Sequence, residues 1–179
     1  MPIITFETRL AALCVSLCGF CLFVLQCGYH LSGTGSSLPE HIQTISVPMF
    51  KNMTTRYELD LKLTQRVIDE LVARGKVEIA IEEESADALL LGEIQSFSAI
   101  PVAFSGESAA DRYNIIIVTK IVLRDNVSRK VIYSNPSMVY QYEYGVPEGT
   151  DFESVESLAI DVVAERFARS LVSTILEGF

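Results

Sequence analysis

The chain has 179 residues, 49% hydrophobic and 21% charged, a balance that excludes a disordered chain and supplies one domain with its own apolar core. With 14 Lys and Arg against 23 Asp and Glu the formal charge is −9, so polyanions are repelled at long range and nucleic acid is excluded as an expected partner. The same sign disfavours nonspecific adhesion to anionic lipid headgroups, so membrane association has to come from an anchor rather than a basic patch.

The N-terminus supplies a candidate anchor. From Leu10 to Leu25 the run LAALCVSLCGFCLFVL carries no charge, follows Arg9 and ends at Gln26 and Cys27, the outline of a secretory signal peptide. As a helix this run reaches only about 24 Å, short of a hydrocarbon core of roughly 30 Å, so export is a better reading than a spanning helix. Cys14, Cys18 and Cys21 read as small hydrophobes of the leader, which leaves Cys27 as the single thiol of a mature chain and allows no internal disulfide. A lone exported thiol placed directly after an apolar run points to chemical use, and lipid attachment at Cys27 is that use. Val24 and Leu25 suit the positions before a lipidated cysteine. Gln26 stands where Gly, Ala or Ser is usual, and an uncleaved N-terminal anchor is the structural alternative. The chain thus divides into a signal peptide at 1–26, a lipidated N-terminus and flexible Gly/Ser-rich tether at 27–40, and a domain at 41–179.

Along the domain, HIQTISVPMF reads as a strand that Pro48 ends or pushes to an edge. The pair Thr55 and Glu58 predicts a capping box for a helix with the apolar stripe Leu59, Leu63, Val67 and Leu71, joined by Ile68 and Val72, and with Gly75 just past its end. KVEIAI at 76–81 is a short strand or part of a helix–strand connection. After the acidic EEESAD come three long β-type runs, ALLLGEIQSFSAIPVAF, RYNIIIVTKIVLRD and KVIYSNPSMVYQYEYGV, with GESAAD and NVSR as turns between them. A closing helix is predicted with Thr150 and Glu153 at its start and Val155, Leu158, Ala159, Val162, Val163, Phe167, Leu171 and Ile175 on one face. This order predicts an α+β domain, two helices on one face of a mixed, mostly antiparallel sheet of about four strands.

In the run Tyr113 to Leu123 the odd positions Tyr113, Ile115, Ile117, Ile121 and Leu123 suit the helix-facing side. On the other side Ile116, Val118 and Val122 alternate with Lys120 and Arg124, and an apolar outer face marks either a partner surface or long strands that cover one another. Tyr140, Tyr142 and Tyr144 share one strand face, as a binding stripe or as cross-strand packing. His30 and His41 have no metal-site or triad spacing, and Glu82, Glu84 and Asp87 belong to a charge run expected to be solvated. No catalytic residue, metal site or cofactor is indicated.

CGYHLSG at Cys27, followed by LPEHIQTISVPMFKNMTTRYELDLKLTQRVIDEL, the ADALLLGEIQSF run at Ala86 to Phe97 and the Arg112–Tyr113 strand, resembles the LPS-assembly lipoprotein family, LptE. The likeness extends from Cys27 to about Tyr144 and rests on the order and spacing of these pieces. It implies two helices on a four-stranded sheet and a nonenzymatic outer-membrane component that plugs the lumen of the LptD β-barrel and assists delivery of lipopolysaccharide to the outer leaflet. It further implies a membrane attachment through acyl chains, palmitate among them, at Cys27, with the domain facing the periplasm. Gly28 after the cysteine, in place of Asp, agrees with outer-membrane sorting. Lys120 and Arg124 are the candidates for meeting LPS phosphates, since both donate charge-assisted hydrogen bonds to anions. Ile116, Val118, Val122, Tyr140, Tyr142 and Tyr144 are the candidates for partner contact. The competing class is an anchored periplasmic lipoprotein that regulates a cell-wall synthase or a secretion channel, because a fold of this kind does not fix function.

Overall fold

The computed structural model describes residues 38–105, 109–147, 150 and 152–178. Cys27 and the segment read as signal peptide lie outside them.

Three long strands, β4 (Ala88–Ser105), β5 (Ala109–Asp125) and β6 (Val131–Gly145), form an antiparallel meander. Three short strands join it in parallel: β1 (Thr44–Ser46) beside β4, β2 (Lys51–Asn52) farther along β4, and β3 (Glu78–Ile79) outside β1. The sheet is therefore mixed and six-stranded, in the order β3-β1-β4-β5-β6, with β2 paired to β4. The expected α+β architecture holds. The count exceeds four because KVEIAI, read as a short strand or a connection, contributes β3, and because β2 is a two-residue pairing, too short to leave a period-two signature in sequence.

Helices α1 (Leu59–Arg74) and α2 (Phe152–Glu177) lie side by side on one sheet face. They run parallel. Lys62 Nζ meets Asp161 Oδ1 at 2.7 Å near their starts, and Arg74 Nη1 meets Glu177 Oε1 at 2.7 Å near their ends. Leu59, Leu63, Val67 and Leu71 are fully buried, as their i, i+4 spacing requires, and so are Ala159, Val163, Phe167, Leu171 and Ile175. The α2 stripe is wider than expected and includes Ile160, Ala164, Ala168, Val172 and Leu176, because α2 touches both the sheet and α1. Val72 and Leu158, assigned to the apolar faces from sequence, are exposed at 59% and 62%. Leu38, within the stretch read as tether, is buried in the core.

The local signals at the ends of α1 divide. Gly75 sits at φ 61° and its N–H bonds to the Val72 carbonyl, the left-handed stop expected there. The capping box is absent: Glu58 is itself left-handed at φ 57° and gives no side-chain cap. The approach is shaped instead by Asn52, whose Oδ1 accepts from the Thr54 N–H and hydroxyl and whose Nδ2 donates to the Arg56 carbonyl. The turn expected at 106–111 is shorter, since Ala109–Asp111 already belong to β5; residues 106–108 lie outside the described ones.

At one end of the sheet, polar side chains tie elements far apart in sequence. Asp125 is buried; its carboxylate accepts from the Ser128 hydroxyl at 2.7 Å, from the Ser128 and Val127 N–H groups and, at 2.9 Å, from His41 Nε2. Asp87 accepts from the Gln43 and Thr44 N–H groups and the Thr44 hydroxyl, so it clamps β1 to β4. Asp87 thus departs from the solvated charge run of which it was read as part, while Glu82, Glu83 and Glu84 are exposed as expected.

Candidate functional site

The meander has two unlike faces. On β5 the odd positions Ile115, Ile117, Thr119, Ile121 and Leu123 are at most 1% exposed beneath the helices. The even positions point away from them. Ile116, Val118 and Val122 are half-buried and Lys120 is exposed. Cross-strand neighbours extend this surface: Leu91 opposite Val122 on one side, Val139 opposite Val118 on the other, and Ile100 opposite Asn114. Leu91, Val139 and Ile100 are 38%, 54% and 48% exposed; among the described residues no helix covers them, and the half-burial of the β5 residues fits lateral contacts within the sheet. The result is an aliphatic band down the middle strand with serines beside it, Ser96 and Ser98 on β4 and Ser134 on β6.

The two cations at this face differ. Lys120 lies opposite Glu93, which meets Lys51 at 3.7 Å, and Lys120 makes no ion pair among the described residues. Arg124 is half-buried, and its Nε has no hydrogen-bond partner there. It opens onto a cleft of about 250 Å³ shared with Glu83, Glu84, Asn126 and Arg129, so an incoming anion meets two carboxylates beside the guanidinium. Lys120 is the less encumbered cation.

Tyr140, Tyr142 and Tyr144 are on the opposite, helix-facing side, half-buried against the core. Tyr140 meets Phe167 edge to face, with ring centroids 6.1 Å apart, and burial pushes its hydroxyl above the usual tyrosine range. The Arg166 guanidinium lies 4.5 Å from the Tyr142 ring centroid. The structure therefore brings Ile116, Val118, Lys120, Val122 and Arg124 to one surface and places the tyrosines on another. Sequence reading missed Leu91, Ile100 and Val139 as members of the outer surface. The signal was available for Val139, which alternates with Met138 and Tyr140, but Leu91 is hidden inside the unbroken run Leu89–Leu91.

The described residues hold no group of three His, Cys, Asp or Glu side chains able to bind a metal. No helix among them is long and apolar enough to cross a membrane.

Known proteins were compared with this chain at the levels of fold, sequence and family. PelC from Paraburkholderia phytofirmans, a dodecamer in its crystals, superposes with a TM-score of 0.53 at 14% identity, over 80% of this chain and 95% of PelC. The hypothetical protein CT253 from Chlamydia trachomatis gives 0.51 at 10% identity, over 75% of this chain and 95% of its own. Protein XCC0632 from Xanthomonas campestris gives 0.51 at 12% identity, over 75% and 84%. At such identities the likeness is one of fold. A search of curated proteins found no match. The family model LptE, lipopolysaccharide-assembly, matches residues 42–175, which include all six strands, α1 and α2 up to its last two residues. The chain belongs to the LptE lipopolysaccharide-assembly family.

Proposed function

We propose that this chain is an outer-membrane lipoprotein, cleaved before and acylated at Cys27, that docks an LptD-type β-barrel as its plug and assists lipopolysaccharide assembly without turning over a substrate. The family match over 42–175 supports the assembly role. The observation that carries the docking is the outer face of β4–β6: an uncovered aliphatic band of Leu91, Val118, Val122 and Val139 on a sheet whose other face already has its two helices. A partner surface laid on that band removes apolar area from water, and the serines at its margins can meet polar groups of a barrel lumen. In this reading Lys120, with Arg124 second, meets lipopolysaccharide phosphates beside the docked surface; that Lys120 makes no ion pair among the described residues and Arg124 Nε no hydrogen bond supports it.

Two measurements test this. Intact mass of the membrane-extracted protein is expected to show the acylated chain beginning at Cys27, and an unmodified full-length chain refutes the anchor. Photo-crosslinkers at positions 116, 118 and 120 in intact cells are expected to capture an outer-membrane β-barrel. Adducts with a cell-wall synthase or a secretion channel instead favour the regulatory reading.

A further inference from the structure

The sheet order leaves β6 at one margin, and among the described residues its strand partner is β5 alone. Such a margin presents N–H and C=O groups that must be hydrated, covered or paired. Protection is concentrated in the first half of β6. There Pro136, between Asn135 and Ser137, sits in a register shift opposite Thr119 to Ile121. From Met138 to Gly145 the pairing with β5 is regular, without proline, lysine or bulge, and the one charge is Glu143, which meets Arg112 at 3.5 Å. This half is a regular, pairable edge.

The flank of α2 runs beside it. Tyr140, Arg166, Arg169, Ser170 and Ser173 line a cleft of about 260 Å³ between the helix and the strand. Arg169 is bonded to Glu165 at 2.8 Å, whereas Arg166 makes no carboxylate pair among the described residues and rests on the Tyr142 ring. Glu165 offsets Arg169, so in a chain of net charge −9 this flank carries one uncompensated cation, Arg166, beside an edge that makes no second strand pairing among the described residues. Side chains of an added strand alternate between the two sheet faces, so every second one would meet these arginines and the others would lie beside Val139.

We propose that the Met138–Gly145 edge of β6 takes up an extended strand of a partner protein, acidic on the face toward Arg166 and Arg169 and apolar on the face beside Val139. The proposal deepens the docking reading above and rests on it, since the strand belongs to the docked partner. A second copy of this chain fits poorly: two-fold pairing of β6 with itself sets the arginine flanks of both α2 helices against each other.

Photo-crosslinkers placed in the full-length chain at Gln141 and at Ser170, with Val118 as reference, test it in intact cells, with the adducts mapped by mass spectrometry. The expected result is that Gln141 and Ser170 capture one short segment of the protein that Val118 captures, with acidic and apolar residues alternating in it. Arg166→Glu with Arg169→Glu should reduce the Gln141 adduct about tenfold or more, because like charges then face each other across the pairing. Adducts from Val118 with none from Gln141 and Ser170, or adducts from those two on a second copy or on a segment without acidic residues, overturn the strand proposal and leave the docking reading standing. Silence at all three positions overturns both.

Discussion

The two faces of β5 were built by one alternating run of side chains and ended in different physical states. Beneath the helices Ile115, Ile117, Ile121 and Leu123 are at most 1% exposed, while on the far face Ile116, Val118 and Val122 remain half-buried around an exposed Lys120. Aliphatic content hardly separates the faces. What separates them is that the helix-facing side has α1 and α2 to close against, while the other has, among the described residues, its neighbours in the sheet. An apolar side chain on the first face stabilises the fold; on the second it is available to a partner.

The contrast is broken most severely by truncation under the helices. Leu63→Ala or Leu71→Ala is expected to cost roughly 2–5 kcal/mol in denaturant melts of the purified protein, since both leucines are fully buried. Val118→Glu on the open face is expected to change the same melts by about 1 kcal/mol or less. In cells the same variant should lose the adducts expected of the proposed barrel partner, because docking would bury an unpaired carboxylate. Equal stability losses at Leu71 and Val118 would remove the distinction.

A smaller effect tests how closely the core is fitted. A Cβ at Gly92 would lie 2.6 Å from the Phe50 ring, inside any ordinary contact, and Phe50 is buried with its N–H bonded to the Thr64 hydroxyl at 2.9 Å. Gly92→Ala should therefore destabilise by about 1–3 kcal/mol through overpacking, measured by the same melts. Phe50→Leu in the Gly92→Ala background should recover part of the loss.

Acid should act on the polar end of the sheet before it acts on the aliphatic faces. The Ser128 hydroxyl and N–H, with His41 and the Val127 N–H, hold the Asp125 carboxyl well below the usual carboxylate range, and the Thr44 and Gln43 N–H groups lower Asp87. A carboxyl whose folded-state pKa is depressed contributes its full stability above the unfolded value of about 3.9 and loses it as pH falls toward the folded value. Urea midpoints should hold from pH 7 to 5 and fall below about pH 4, with a shallower fall in Asp125→Asn. An unchanged acid slope in that variant would remove Asp125 from the account.

The smallest change is at the start of α1. Glu58 is held in the left-handed region, which disfavours any side chain with a Cβ, so Glu58→Gly is expected to raise stability by a few tenths to about 1 kcal/mol. A loss of about 1 kcal/mol instead would mean that the Glu58 side chain contributes at the helix start, as a capping residue does.

Sequence alone determined the layer plan. The i, i+4 leucines of α1, Gly75 at its end and the alternation of β5 each depend on a few neighbouring residues, and local geometry of this kind is written in local order. The Asp125 turn was equally legible, as an Asp-Asn-Val-Ser sequence with Ser three residues on. Tertiary structure decided the rest. A Thr55–Glu58 pair reads as a capping box whatever surrounds it, and only the folded approach through Asn52 and Thr54 set Glu58 left-handed. The tyrosine ladder has a period but no sign, and Phe167 and Arg166, which identify its helix-facing side, come from α2. Asp87 became a clamp because β1 lies beside β4, a pairing between residues 43 positions apart. Period two specifies that a strand has two faces; which one is covered is decided by the elements that arrive from elsewhere in the chain.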